Sequence, residues 1–189
     1  EGRMDVSARR VNRLTKGAVA RLIESERFQK MKQGQVFTLN LPVGMAADAV
    51  DIVRLSRRAT IEQARAAGAS LPKIRGDADL LMATGNAKYS AQIAFGLAMR
   101  DYNFVEHKTA GETPMGAVTV MCGKSEEIIA TTAPLMAVAE GAFMTRDLVN
   151  EPANVLTTTE FSNRLVEMEN LGLKVQALDE DELTTLGMG

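Results

Sequence analysis

The chain has 189 residues, 46% hydrophobic but only 4% aromatic, and a net charge of −2. That suffices for one domain with a sizeable core plus an appendage, resting on Leu, Val, Ile, Ala and 11 Met rather than on rings. Balanced charge without a basic stripe gives nucleic-acid binding no support, and a single cysteine, Cys122, excludes an intramolecular disulfide.

The single cysteine makes a reduced, cytoplasmic setting the default expectation, and no apolar run reads as long enough for a signal peptide or a membrane span. Glu1-Gly2-Arg3 reads as mid-protein sequence, and both ends read as cut.

Helix and strand signals alternate along the chain. Ser7 to Ser25 predicts a helix, with Val11, Leu14, Ala18 and Leu22 at helical spacing. Val36 to Leu41 and Val50 to Leu55 predict short strands around the Pro42/Gly44 break. Thr60 opens a helix over Ile61 to Ala67, with Gly68 as its stop. Asp79 to Thr84 is a compact apolar run before the Gly85-Asn86 turn, and Ser90 is placed to cap a helix reaching Asp101. That helix is apolar on most of its surface, so packing on both sides is expected.

Gly116 to Met121 predicts another strand. A long helix follows with Pro134 in its first turn, ending near Asn150 because Pro152 cannot continue it. Thr157 with Glu160 reads as a capping box, opening a helix that buries Phe161, Leu165 and Met168. Lys174 to Leu178 reads as a strand, and Asp179 with Glu182 repeats the capping pattern before Gly187. The alternation argues for an α/β architecture, a sheet with helices on its faces.

Little in the chain has the makings of an active site. A zinc site needs converging His, Cys or carboxylates, and one His and one Cys lie far apart. Glu180, Asp181 and Glu182 read as a helix start favoured by its dipole; Glu24, Glu26, Glu126 and Glu127 read as solvated surface. Gly85-Asn86 lies between a strand and a helix, but one glycine lacks the spaced pattern of a phosphate loop. His107 reads as an exposed loop residue, too little for a triad, and Cys122 as a small residue buried at a strand end.

The assembled pattern Arg146-Asp147-Leu148-Val149-Asn150-Glu151-Pro152-Ala153-Asn154-Val155-Leu156-Thr157 carries more information. With the Leu-Gly-Leu-Lys-Val run ending at Val175 and the Leu186-Gly187-Met188-Gly189 ending, it resembles the leucyl aminopeptidase (cytosol aminopeptidase) family. Tyr102-Asn103-Phe104 and Lys108-Thr109 extend the resemblance back more loosely. Physically the block reads as a junction: Pro152 breaks the long helix, while Asn150 and Asn154 are placed to hydrogen-bond the turned backbone.

The resemblance implies a macro-like N-terminal domain at 1–125, lacking its first strands, a connecting helix at 126–150, and the truncated start of a catalytic peptidase domain at 151–189. It further implies a cytoplasmic, hexameric hydrolase that removes N-terminal residues, often leucine, from peptides, using two divalent ions, manganese or zinc. The family's ligands (a lysine, three aspartates and a glutamate, aided by a second lysine and an arginine) all follow the Gly-Met-Gly stretch. No catalytic, cofactor-binding or metal-ligating residue is therefore expected in this chain, which would be inactive alone and serve assembly or positioning. Glu1-Gly2-Arg3 matches the end of a family signature but stands at the wrong end of the chain, and reads as coincidence. A truncated sheet predicts exposed apolar surface and self-association. The alternative reading is a stand-alone macro-like module binding a nucleotide or a protein.

Overall fold

The computed structural model of the protein describes residues 4–107 and 116–188. Asp5 caps the first helix, α1 (Val6–Leu14), by accepting from the Ala8 amide at 2.7 Å. The single helix expected over 7–25 is in fact two. Lys16 and Gly17 take positive φ of 50° and 81°, and the chain restarts as α2 (Ala18–Glu24). Apolar spacing continues across this break, so it did not reveal the turn that Gly17 permits. Ser25 then closes α2 and caps α3 (Glu26–Lys30).

The next two strands, β1 (Val36–Asn40) and β2 (Ala49–Val53), are those expected on either side of Pro42 and Gly44, and they pair as an antiparallel hairpin. Val36 lies opposite Val53 and Asn40 opposite Ala49, and Thr38 donates to Asp51 across the register. Arg54, just past β2, donates from Nη1 to the carbonyls of Phe28 and Gln29 at 3.0 and 2.6 Å, and to that of Met31. It thereby satisfies carbonyls at the end of α3 and ties the hairpin to that helix.

A reciprocal capping box of Thr60 and Gln63 starts α4 (Ile61–Ala69), and Pro72 starts the short α5 (Pro72–Arg75). Then β3 (Leu80–Gly85), α6 (Ser90–Asp101) and β4 (Val118–Cys122) form a strand–helix–strand unit. Its strands are parallel, with Leu80 opposite Val118 and Met82 opposite Val120. Parallel strands need such a crossover, which the helix between them supplies. The protein is thus mixed α/β, with an antiparallel and a parallel pair as separate small sheets flanked by helices.

Ala64 of α4, Leu71, Met82 of β3, and Ile93 and Leu97 of α6 form the buried core. Val36 and Val53 from the hairpin and Val120 from β4 pack against it. Two expectations about this region are corrected. Gly68 does not stop α4, which runs one residue further to Ala69; glycine is required there because a side chain would collide with the backbone of Ile93 and Leu97. Gly96 meets the Arg65 backbone in the same way, so the two helices touch through bare main chain. Nor does Ser90 cap α6. Tyr89 holds the cap position without a side-chain bond, while the buried Ser90 hydroxyl donates to the Ala87 carbonyl at 2.9 Å.

Arg75 fastens the ends of this unit. Its side chain, 3% exposed, donates to the carbonyls of Ala78 and Gly116 at 2.9 Å and pairs with Asp101. One buried guanidinium thus joins α5, the approach to β3, the end of α6 and the entry to β4.

The long helix, α7 (Ser125–Asn150), begins nine residues before Pro134, which lies in its interior rather than its first turn. Glu126 and Glu127 occupy the first turn, where the helix dipole favours them. An 18-residue window of this helix has a mean hydropathy of 1.4, so by length and composition it could cross a membrane. That corrects the expectation that no run is long enough. Thr131, Thr132 and Pro134 interrupt the apolar run in the sequence, but the helix is continuous through them.

After Pro152 come α8 (Thr158–Val166), a 3-10 turn at Glu167–Leu171, and α9 (Glu180–Thr185). The strand expected over Lys174 to Leu178 is irregular backbone. A strand requires a hydrogen-bonding neighbour, and none of the described residues supplies one there. The chain forms two compact units, Glu1–Phe143 and Met144–Gly189.

Two outcomes test this packing. Gly96→Ala lowers unfolding stability by about 2–3 kcal/mol, as an over-packed contact against rigid backbone does, measured by denaturant titration. Arg75→Ala costs about 3–5 kcal/mol in the same titration, because it leaves the Asp101 carboxylate without its buried partner. An effect under about 0.5 kcal/mol from either variant contradicts the contact it probes.

Candidate functional site

The residues with chemical potential lie apart. Cys122 is the last residue of β4 and is half-buried rather than fully buried. His107 is exposed, its ring edge-on to Phe104 at 5.8 Å between centroids. The exposed Glu26 and Glu127 pair with Lys30 at 2.6 Å and Lys124 at 3.0 Å, while Glu24 and Glu126 are exposed as expected. Glu180, Asp181 and Glu182 form the first turn of α9, where Asp179 and Glu182 make the expected reciprocal capping box. Lys108, Thr109 and Glu1-Gly2-Arg3 lie outside the described residues. Among the described residues, no three His, Cys, Asp or Glu side chains converge as a metal site would require.

The Gly85-Asn86 turn has a strand before it and a helix after it, as a phosphate loop would. Gly85 takes φ +55°, and its carbonyl accepts from the Gly123 amide at 3.0 Å, joining the ends of β3 and β4. Its open side is already filled with acceptors. The Asp5 carboxylate lies against Gly85, and the Asn86 side-chain oxygen lies against Gly123. A carboxylate in that position repels phosphate, so the turn serves to dock the start of α1 on the sheet.

A shallow open groove of about 290 Å³ runs between α4 and α6 over Phe95, Gly96 and Met99, flanked by Arg65 and Arg100. Arg65 stacks on Phe95 at 4.8 Å and donates to Gln92 at 2.7 Å. No carboxylate, thiol or imidazole lines the groove, so it has no proton-transfer or nucleophilic group to offer.

The junction after α7 is held by several polar contacts. The Glu151 amide still bonds the Asp147 carbonyl at 2.9 Å, but Pro152 cannot continue the ladder. The Pro152 carbonyl then accepts from both Val155 and Leu156 at 2.9 Å, closing a tight turn. Asn154, expected to bond the turned backbone, is exposed and makes no hydrogen bond among the described residues; the Pro152 carbonyl does that work.

Thr157 accepts from the Glu160 amide at 3.2 Å and so caps α8. The Glu160 carboxylate does not complete the box. It accepts from Arg164 Nε at 2.7 Å, and Arg164 Nη1 reaches the nearly buried Glu151 carboxylate at 3.1 Å. Hydrogen bonds from Arg164 to Glu160 and then Glu151 hold its guanidinium pKa above the ordinary arginine value. Spacing along the chain could suggest the Glu160–Arg164 pair at i,i+4, but not the Glu151–Arg164 contact, which depends on how the Pro152 turn folds back. This arrangement holds chain direction and lacks the converging donors of a catalytic centre.

No protein-family model matches the chain. Along all 189 residues it is 50% identical to the probable cytosol aminopeptidase of Dinoroseobacter shibae. Over 187 residues it is 46% identical to that of Cereibacter sphaeroides, and over 192 residues 34% identical to that of Caulobacter vibrioides. It spans 39%, 38% and 39% of their lengths. Among solved structures it is similar to the bottromycin maturation enzyme BotP, at 26% identity and a TM-score of 0.65 over 85% of this chain and 37% of that one. A second BotP structure, in complex with Mn, matches 98% of this chain at 25% identity and the same TM-score. Similarity that runs the whole length of the chain, through β3–α6–β4 and the Pro152 junction alike, places it in the cytosol aminopeptidase (leucyl aminopeptidase) family, as a stretch spanning about 39% of its relatives' length.

Proposed function

We propose that the chain is the N-terminal, non-catalytic part of a two-metal aminopeptidase that removes N-terminal residues, leucine among them, from peptides. The observation that carries this reading is 50% identity along the whole chain to a protein named a probable cytosol aminopeptidase, of which it spans 39%. The Mn in one BotP complex supports a divalent ion, manganese or zinc, as the cofactor of the complete enzyme. Two such ions would polarise the scissile carbonyl and activate a water. The described residues do not fit that pair of ions, because no three His, Cys, Asp or Glu side chains converge among them. Accordingly, no step of hydrolysis is assigned to them.

The role left to this chain is positioning. A junction made from the Pro152 turn and the Glu151–Arg164–Glu160 cluster sets the path by which the chain leaves α7. We place the connecting helix at 126–150 and the start of the peptidase domain at 151–189. By family resemblance the complete enzyme is a cytoplasmic hexamer.

The alternative of a stand-alone nucleotide-binding module has nothing specific in its favour, since the Asp5 carboxylate fills the Gly85-Asn86 turn that was its candidate phosphate site. Two measurements separate the readings. The purified chain, supplied with manganese or zinc, releases no leucine above background from a leucine chromogenic amide; the full-length protein does. Leucine release by the chain alone refutes the non-catalytic assignment. Calorimetric titration of the chain with ADP-ribose gives no binding heat; a saturable heat would favour the module instead.

A further inference from the structure

We propose that the outer face of α7 is the seat of an apolar surface from the polypeptide that the curated relatives carry beyond the stretch aligned with this chain. The proposal rests on the reading of this chain as part of a longer enzyme. Residues 128–139 of α7 contain no charged side chain and place apolar groups around the whole circumference of the helix. A helix apolar on all sides belongs in an interior.

In this chain only one side of it is covered. Ile128, Leu135 and Met136 are half-buried and Ala139 is buried, while the Phe143 ring lies 5.4 Å from that of Tyr102. The other side is open. Ile129 and Val138 are 67% and 60% exposed, and Ala130, Ala133 and Ala137 between them are exposed as well. Ile129, Ala133 and Ala137 recur every four residues, a ridge of the kind that packs into the groove of another helix. Small side chains along it permit close approach.

The length of the relatives identifies the occupant. More than half of the Dinoroseobacter shibae protein lies outside the aligned stretch. A surface on the same polypeptide is present at high effective concentration and needs no separate encounter. A bilayer fits less well, because the Ala139 side of the helix already packs on this chain, whereas a lone span would face lipid all round.

The test uses Ala137→Cys in a Cys122→Ser background, with maleimide as the probe. Alkylation rates are compared in this chain and in the full-length protein, both checked for folding by circular dichroism. The expected result is rapid labelling in the chain alone and labelling at least about 10-fold slower in the full-length protein, independent of concentration. Equal rates overturn the proposal. Slowing that appears in the chain alone as concentration rises, or disappears when the full-length protein is diluted to monomer, overturns it in favour of a second copy. Slowing of the chain only with phosphatidylcholine–phosphatidylglycerol vesicles overturns it in favour of a bilayer. Hydrogen exchange of residues 128–139 in the unmodified proteins makes the same comparison if the variant fails to fold. Protection requires no turnover, so a full-length protein that protects α7 but hydrolyses nothing would sink the peptidase reading and leave this one standing.

Discussion

Helices α4 and α6 meet at Gly68 and Gly96, where each lays its main chain against the other with no side chain between. That closeness draws Ala64, Ile93 and Leu97 into one core with Leu71 and Met82, against which both small sheets pack. The hairpin contributes Val36 and Val53, and the parallel pair contributes Val120. Neither two-stranded sheet would be stable alone, so each depends on the helix pair for a surface to cover it. Arg75 then closes the assembly at the far end of α6 by joining Asp101 to the carbonyls of Ala78 and Gly116. In a core with so few aromatic rings, backbone proximity supplies the contact that large side chains supply elsewhere.

The second unit is organised on a different principle. None of its described residues is fully buried, and polar contacts set its path: the doubly accepting Pro152 carbonyl, the Thr157 cap and the Arg164 bridge. Such contacts direct a chain well but contribute little stability unless apolar surface is buried with them. Exposed Phe161, Leu171, Leu173, Leu186 and Met188 show how much apolar surface this unit leaves uncovered. The same holds for the outer side of α7. Both fit a protein whose relatives continue well beyond the aligned stretch.

Local chemistry was readable where it was self-contained. The two strands on either side of Pro42 and Gly44, the end of α6 at Asp101, the stop before Pro152 and the caps at Thr60, Thr157 and Asp179 each depend on a few adjacent residues. Errors arose where a distant partner decided. Gly68 reads as a helix stop until α6 lies against it, and Ser90 reads as a cap until its hydroxyl turns to Ala87. Lys174 to Leu178 has strand-like composition but no neighbouring strand among the described residues, so its hydrogen bonds cannot form a ladder. Family membership was legible from the Arg146 to Thr157 block because that block is a continuous string, whereas the bridge from its Glu151 to Arg164 in α8 was not.

By itself, the amino-acid sequence determined the mixed α/β class, the order of most elements and the family. The class and the order follow from periodicity, caps and breakers, which act over a few residues, and the family from resemblance in the continuous Arg146 to Thr157 block. Only the tertiary structure decided that two glycines would form the helix crossing, that the strands would divide into separate sheets, and that α7 would run as one apolar helix with a bare side. Those outcomes depend on which surfaces meet after the chain folds back on itself, and close approach between residues tens of positions apart leaves no local pattern to read.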